Sequence, residues 1–187
     1  MELQPRFTEE QIRGAVRRLA REISEAYRDD RPLLVGVLKG SFVFLADLVR
    51  ELTIPFEVDF VRARSYGTGT RSKGVVEIVK EVETDLRGRH VIVVEDILDT
   101  GLTMEAVLAR INAGRPASVK RCALLVREGC PPPEFAGLAV GPGFVVGYGV
   151  DYAEQYRGLR DIHTLVEGAD PQAYREPATG RRTGRWS

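Results

Sequence analysis

The chain has 187 residues, 43% hydrophobic and 29% charged, a globular mixture long enough for one domain with a substantial core and a small appendage. Its 27 basic and 27 acidic residues cancel, so no global field favours nucleic acid or an anionic membrane surface. Two cysteines, Cys122 and Cys130, are too few for a disulfide framework, and with no apolar leader in 1–11 and no run of membrane-spanning length, a cytoplasmic, reduced setting is expected.

In chain order, Thr8-Glu-Glu-Gln11 has the form of a capping box. Ile12, Ala15, Val16, Leu19, Ile23, Ala26 and Tyr27 then recur at helical spacing, which predicts a long amphipathic helix ended by Asp29 to Pro32. Leu33 to Leu38 predicts a short strand and Lys39-Gly40-Ser41 a tight turn. Phe42 to Leu52 is apolar almost all round, which predicts a helix buried on most faces or packed against a partner subunit. Pro55 to Arg64 and Val75 to Glu83 alternate as strands and flank a Gly-, Ser- and Thr-rich segment at 65–74. Val91 to Val94 and Val119 to Val126 read as buried strands, Met104 to Ile111 as a helix, Pro131 to Pro133 as a loop and Phe144 to Val150 as the last strong strand. From Gly168 the apolar signal fades, so 168–187 is expected to be a flexible tail. Alternating strands and helices imply a mainly parallel α/β sheet, whose ligand sites fall at the carboxyl ends of its strands.

The segment from Val91 to Thr103 carries the most chemistry. A β-branched run ends in adjacent carboxylates, Glu95 and Asp96, followed by Asp99-Thr100-Gly101-Leu102-Thr103 at the opening of a helix. Acids at a strand end suit sugar hydroxyls or a cation, and amides at a helix N-terminus suit a phosphate. A lone acidic pair reads equally as solvated loop, and Asp99 or Thr100 reads equally as a helix cap. The complete array is far less common by chance. It has neither Walker A spacing nor a Gly-x-Gly-x-x-Gly turn.

At these residues the chain resembles the phosphoribosyltransferases that use 5-phosphoribosyl-1-pyrophosphate (PRPP), and more narrowly the bacterial-type hypoxanthine (hypoxanthine-guanine) branch. Four segments match in order over roughly residues 8–167. The resemblance implies a type I phosphoribosyltransferase fold over 1–167. A parallel core flanked by helices would carry a small hood built from the N-terminal segment and 127–167.

It also implies roles. Lys39 and Gly40 match a pyrophosphate loop whose peptide before the lysine can be cis without proline. Ser65 and Tyr66 match the start of a lid that closes during reaction, with Gly67, Gly69 and Gly74 giving it mobility. Glu95 and Asp96 would hold the ribose hydroxyls, directly or around Mg2+. Asp99, Thr100, Gly101, Leu102 and Thr103 would cradle the 5′-phosphate, with Leu102 standing where some relatives carry a basic residue. Asp99 would also take or share the purine N7 proton. Lys120 would donate to the O6 of a 6-oxopurine, Phe144 would stack on the base and Val145 would read its edge through the backbone. Asp151 matches a second magnesium-associated carboxylate beside the base, and Arg157 a pyrophosphate contact.

The activity so implied converts PRPP and hypoxanthine or guanine into IMP or GMP and pyrophosphate, with no nucleic-acid or membrane partner. The Phe42 to Leu52 segment favours a homodimer or homotetramer. A regulator binding RNA on the same fold would need a basic face and would tolerate loss of Asp99, and the neutral charge speaks against it. A xanthine-preferring enzyme keeps the same machinery, and the sequence does not rank the bases.

Overall fold

Thr8 begins the first helix as its spacing predicts. In the computed structural model of the chain, which describes residues 2–66 and 75–166, the Gln11 N–H donates to Thr8 Oγ1 at 3.3 Å and the Thr8 N–H to Gln11 Oε1 at 2.9 Å. Such a cap contributes about 1 kcal/mol relative to alanine. It opens α1 (Glu9–Ala26), which buries Ile12, Val16, Leu19 and Ile23. The polar segment before it forms β1 (Glu2–Phe7), a strand that the sequence pattern does not announce. Then come β2 (Leu33–Leu38), α2 (Phe42–Glu51), β3 (Glu57–Tyr66), β4 (Val75–Lys80) and β5 (His90–Leu98). They are followed by α3 (Leu102–Ala113), β6 (Ser118–Arg127), β7 (Phe135–Val140), β8 (Phe144–Val146) and β9 (Ile162–Val166). The segment 67–74, expected to belong to a lid, and 168–187, expected to be a tail, lie outside the described residues, as do the side chains of Ser65 and Tyr66.

The main sheet has the order β4-β3-β2-β5-β6-β7, parallel except for the β3–β4 hairpin. Its centre is apolar on both faces, which is why β2 and β5 read as continuous runs without alternation. Ile92 and Val94 join the core under α1 and α2, while Val91 and Val93 join the core under α3. Chain order reverses at β2, which pairs with β3 on one side and β5 on the other. Such a switch point opens a crevice beyond the carboxyl ends of the two strands.

A second, antiparallel sheet, β1-β9-β8, stands apart. It joins the N-terminal segment to 144–166, but β7, expected in the hood, pairs with β6 as the edge of the main sheet. Gly137 permits this: a Cβ there would run into the Leu124 carbonyl. The strand predicted over 144–150 stops at Val146, because Gly147, Tyr148 and Gly149 take positive φ of 106°, 51° and 100°. Among the described residues no helix is long and apolar enough to cross a membrane.

Candidate active site at the switch point

The crevice between β2 and β5 gathers most of the residues singled out above. β2 runs into Lys39 and Gly40 through a cis peptide at Leu38–Lys39. Gly40 lies directly on the Asp96 side chain, and a Cβ at residue 40 would occupy the space of that carboxylate. Only glycine allows the approach.

Glu95 and Asp96 belong to β5 itself rather than to a solvated loop. Glu95 is 8% exposed, and burial, then the charge of Asp96, pushes its carboxyl up to about 8. Burial also raises Asp96, to about 6, against hydrogen bonds from its own and the Ile97 backbone and the charge of Arg157, while Asp151 pushes it further up. A buried carboxyl next to one that lines the polar cleft suits a cation or hydroxyl donors.

Asp99 and Thr100 do not cap α3. Its N-cap is Gly101, with φ 80° and no side-chain cap bond, so no capping side chain occupies the first amides of the helix. The Asp99 carboxylate instead accepts from Arg127 Nε at 2.9 Å, and its carbonyl accepts from the Cys130 thiol. Arg127 also donates to Gly143 O at 3.0 Å and to Gly141 O, which joins the carboxyl end of β6 to the backbone just before Phe144. Phe144 is 49% exposed, and its ring and that of Tyr152 meet in a T-shaped arrangement at 5.4 Å between centroids. Val145 is buried behind it.

On the Lys39–Gly40 side, Arg157 binds Asp151 at 2.7 Å and donates to Gly149 O at 2.7 Å. Glu154 bridges Lys39 at 3.0 Å and Arg157 at 3.4 Å. These groups line a polar cleft of about 380 Å³ to which Arg62 and Arg64 of β3 also contribute.

Among the described residues no three His, Cys, Asp or Glu side chains form a group able to hold a metal ion. Asp96 and Asp151 line the same polar cleft, and a pair of carboxylates fits Mg2+, which commonly uses one or two and completes its shell with water and substrate oxygens.

The phosphoribosyl transferase domain family matches residues 7–153. The hypoxanthine phosphoribosyltransferase of Salmonella typhimurium is 44% identical over 164 residues, which cover 84% of this chain and 92% of that protein. The chain belongs to the hypoxanthine and hypoxanthine-guanine phosphoribosyltransferases. It is an enzyme of purine salvage on the type I phosphoribosyltransferase fold. Among solved structures, a hypoxanthine-guanine phosphoribosyltransferase of Bacillus anthracis is 36% identical with a TM-score of 0.82, matching 88% of this chain and 100% of its own. A Trypanosoma cruzi hypoxanthine phosphoribosyltransferase variant complexed with the product IMP is 34% identical with a TM-score of 0.79, matching 89% of this chain and 91% of its own.

For this phosphoribosyltransferase one expected residue is misplaced. Lys120 pairs with Ile92 near the amino end of the parallel strands, whereas the crevice lies beyond Leu98 and Val126 at their carboxyl ends. Six residues of strand separate Lys120 from Val126, roughly 20 Å at 3.3 Å per residue. Its ammonium packs over the rings of Tyr27 and Phe135, at 5.0 and 5.6 Å. Lys120 is a cation–π packing residue here and lies away from the crevice. Arg127, at the opposite end of the same strand, is the cation that reaches Asp99 and the Gly143 carbonyl just before Phe144. The rule that ligand sites fall at carboxyl ends selects Arg127 over Lys120 once the strand is drawn. Arg62, Arg64 and Glu154 carried no such signal, since each looks like an ordinary surface charge.

Proposed function

We propose that this enzyme transfers the phosphoribosyl group of PRPP to N9 of hypoxanthine or guanine, giving IMP or GMP and pyrophosphate. The observation that carries the reading is Asp99. Its carboxylate is not spent on capping α3 and is held by Arg127, which also donates to the backbone just before the exposed Phe144 ring. The IMP bound by the Trypanosoma cruzi relative supports the same choice of product.

The α3 amides and the hydroxyls of Thr100 and Thr103 take the 5′-phosphate, and Glu95 and Asp96 take the ribose hydroxyls. Lys39, Arg64 and Arg157 face the pyrophosphate. Phe144 stacks on the base, which is worth roughly 1–3 kcal/mol but tolerates any base. Discrimination therefore falls to Arg127, which donates to a 6-oxo group and would meet a second donor on adenine. Glu95, Asp96 and Asp151 are the carboxylates that would contact Mg2+, directly or through water, and the ion would neutralise charge on the leaving pyrophosphate. The C1′–O bond breaks, N9 bonds to C1′ and the proton on purine N7 passes to Asp99. For this transfer Arg127 exchanges Asp99 for the base carbonyl. Ser65 and Tyr66, at the end of β3, would close over the reacting centre and exclude water.

Incubation with PRPP, magnesium and separate bases tests the reading. Nucleotide is expected from hypoxanthine or guanine, and product from neither rejects it, while product from xanthine alone selects the xanthine-preferring alternative. Arg127→Ala is expected to lower kcat/KM for 6-oxopurines at least tenfold, whereas Lys120→Ala leaves base preference unchanged. The reverse pattern would restore Lys120 as the reader of the base.

The second copy of a homodimer is assigned to the groove of about 760 Å³ between α1 and α2. Phe42 is 47% exposed beside it, and Arg13, Arg17 and Arg50 alternate with Glu9, Asp47 and Glu51 along it. Mixed charge around an apolar centre is self-complementary under a two-fold axis. Light scattering should return the mass of a dimer that Phe42→Asp splits, and a single-chain mass for the native protein refutes the assignment.

A further inference from the structure

Glu154 sits where an anionic ligand of this site is expected. One carboxylate oxygen lies 3.0 Å from Lys39 Nζ and the other 3.4 Å from Arg157 Nη2, so a single side chain spans the two cations as two oxygens of a phosphoryl group would. Resting on the reading above, we infer that Glu154 is a built-in occupant of the pyrophosphate subsite. It holds Lys39 and Arg157 in the ligand-free enzyme, is displaced when pyrophosphate arrives and thereby limits how tightly that product is retained.

Three features separate an occupant from a residue that merely positions its neighbours. Arg157 keeps independent anchors, Asp151 Oδ1 at 2.7 Å and Gly149 O at 2.7 Å, so removing Glu154 leaves its guanidinium in place. The backbone at Glu154 is fixed, with its N–H donating to Asp151 Oδ2 at 2.8 Å and Tyr152 bridging to Gln155. Its side chain is 65% exposed and has room to swing into solvent. The turn also holds Ala153 and Glu154 at φ of 51° and 63°, a region that L-residues other than glycine, asparagine and aspartate rarely adopt. A turn held in that conformation presents a carboxylate to two cations from separate loops.

Bound pyrophosphate carries more charge than one carboxylate and wins both cations, but it must first displace Glu154 and then tolerates its negative charge nearby. Exposed ion pairs are weak, so the competition should cost the ligand only about three- to tenfold in affinity. That is enough to speed product release, a step that often limits turnover in enzymes with closing loops.

Calorimetric titration of pyrophosphate in magnesium-containing buffer tests this on the full chain. Glu154→Gln is expected to bind pyrophosphate about three- to tenfold more tightly than the native enzyme, with hypoxanthine affinity unchanged. Glu154→Gly, which removes the carboxylate and suits the positive φ, should show the same tightening and guards against a folding defect. Equal or weaker binding by both variants overturns the inference and assigns Glu154 to positioning, while the proposed reaction stands. No pyrophosphate binding by the native enzyme overturns the proposed reaction and this inference together.

Discussion

Asp99→Asn is expected to slow nucleotide formation about a hundredfold, within the range usual for loss of a positioned general base, while KM for PRPP moves only a few-fold. The asymmetry follows from what asparagine keeps. Its carbonyl oxygen still accepts from Arg127 Nε, now 2.9 Å from Asp99 Oδ1, and the amides of α3 are untouched because Gly101 is the N-cap. What is lost is the group able to accept the N7 proton as N9 attacks C1′. Were Asp99 a helix cap instead, the substitution would also cost stability, since removing a cap oxygen costs about 1 kcal/mol. Thermal unfolding together with steady-state kinetics separates the two roles. A slow enzyme of native melting temperature fits a proton acceptor, and turnover within threefold of native removes Asp99 from the chemistry.

Local signals survived folding well where the chemistry is contiguous. Thr8 and Gln11 form the box their spacing implies, and Glu95 to Thr103 is continuous from strand to helix. Lys39 and Gly40 were legible because a tight turn after a short apolar strand must fall at the sheet's carboxyl edge. Failures arose where the answer depended on register or on pairing between distant segments. β1 is an edge strand that pairs with the central β9 from the other end of the described chain, and Glu2, Gln4 and Pro5 give β1 no apolar run to reveal it. Lys120 and Arg127 lie on one strand and differ only in which end of the sheet they occupy, which is fixed by pairing with β5. Glu154 depends on a turn of positive-φ residues that no glycine marks.

Glu95→Gln is expected to stabilise the fold at alkaline pH while crippling the enzyme. In the unfolded chain this carboxyl titrates at its ordinary value of 4.5, whereas in the fold it titrates at about 8. The folded state therefore holds the proton more tightly. Relative to full ionisation, the benefit of that proton is complete below 4.5, falls as pH rises and is gone above 8, where a buried charge is left with Asp96 beside it. The span of 3.5 between 4.5 and 8, at about 1.4 kcal/mol for each unit, sets a ceiling near 5 kcal/mol, and relaxation around the charge brings the expected gain to about 2–4 kcal/mol. For a chain of this size that corresponds to a melting temperature about 5–10 °C higher at pH 8.5, with little difference from native at pH 4.5. A gain that does not grow with pH would show that Glu95 is already compensated in the native fold. The same variant should raise KM for PRPP at least tenfold, because a glutamine amide is a weaker partner than a carboxylate for ribose hydroxyls and for Mg2+. Stability gained together with binding lost is the pattern of a charge kept out of water for its ligand. Glu95 is buried beside Asp96, on which Gly40 lies, and a ligand bound there would supply the compensation that the fold withholds.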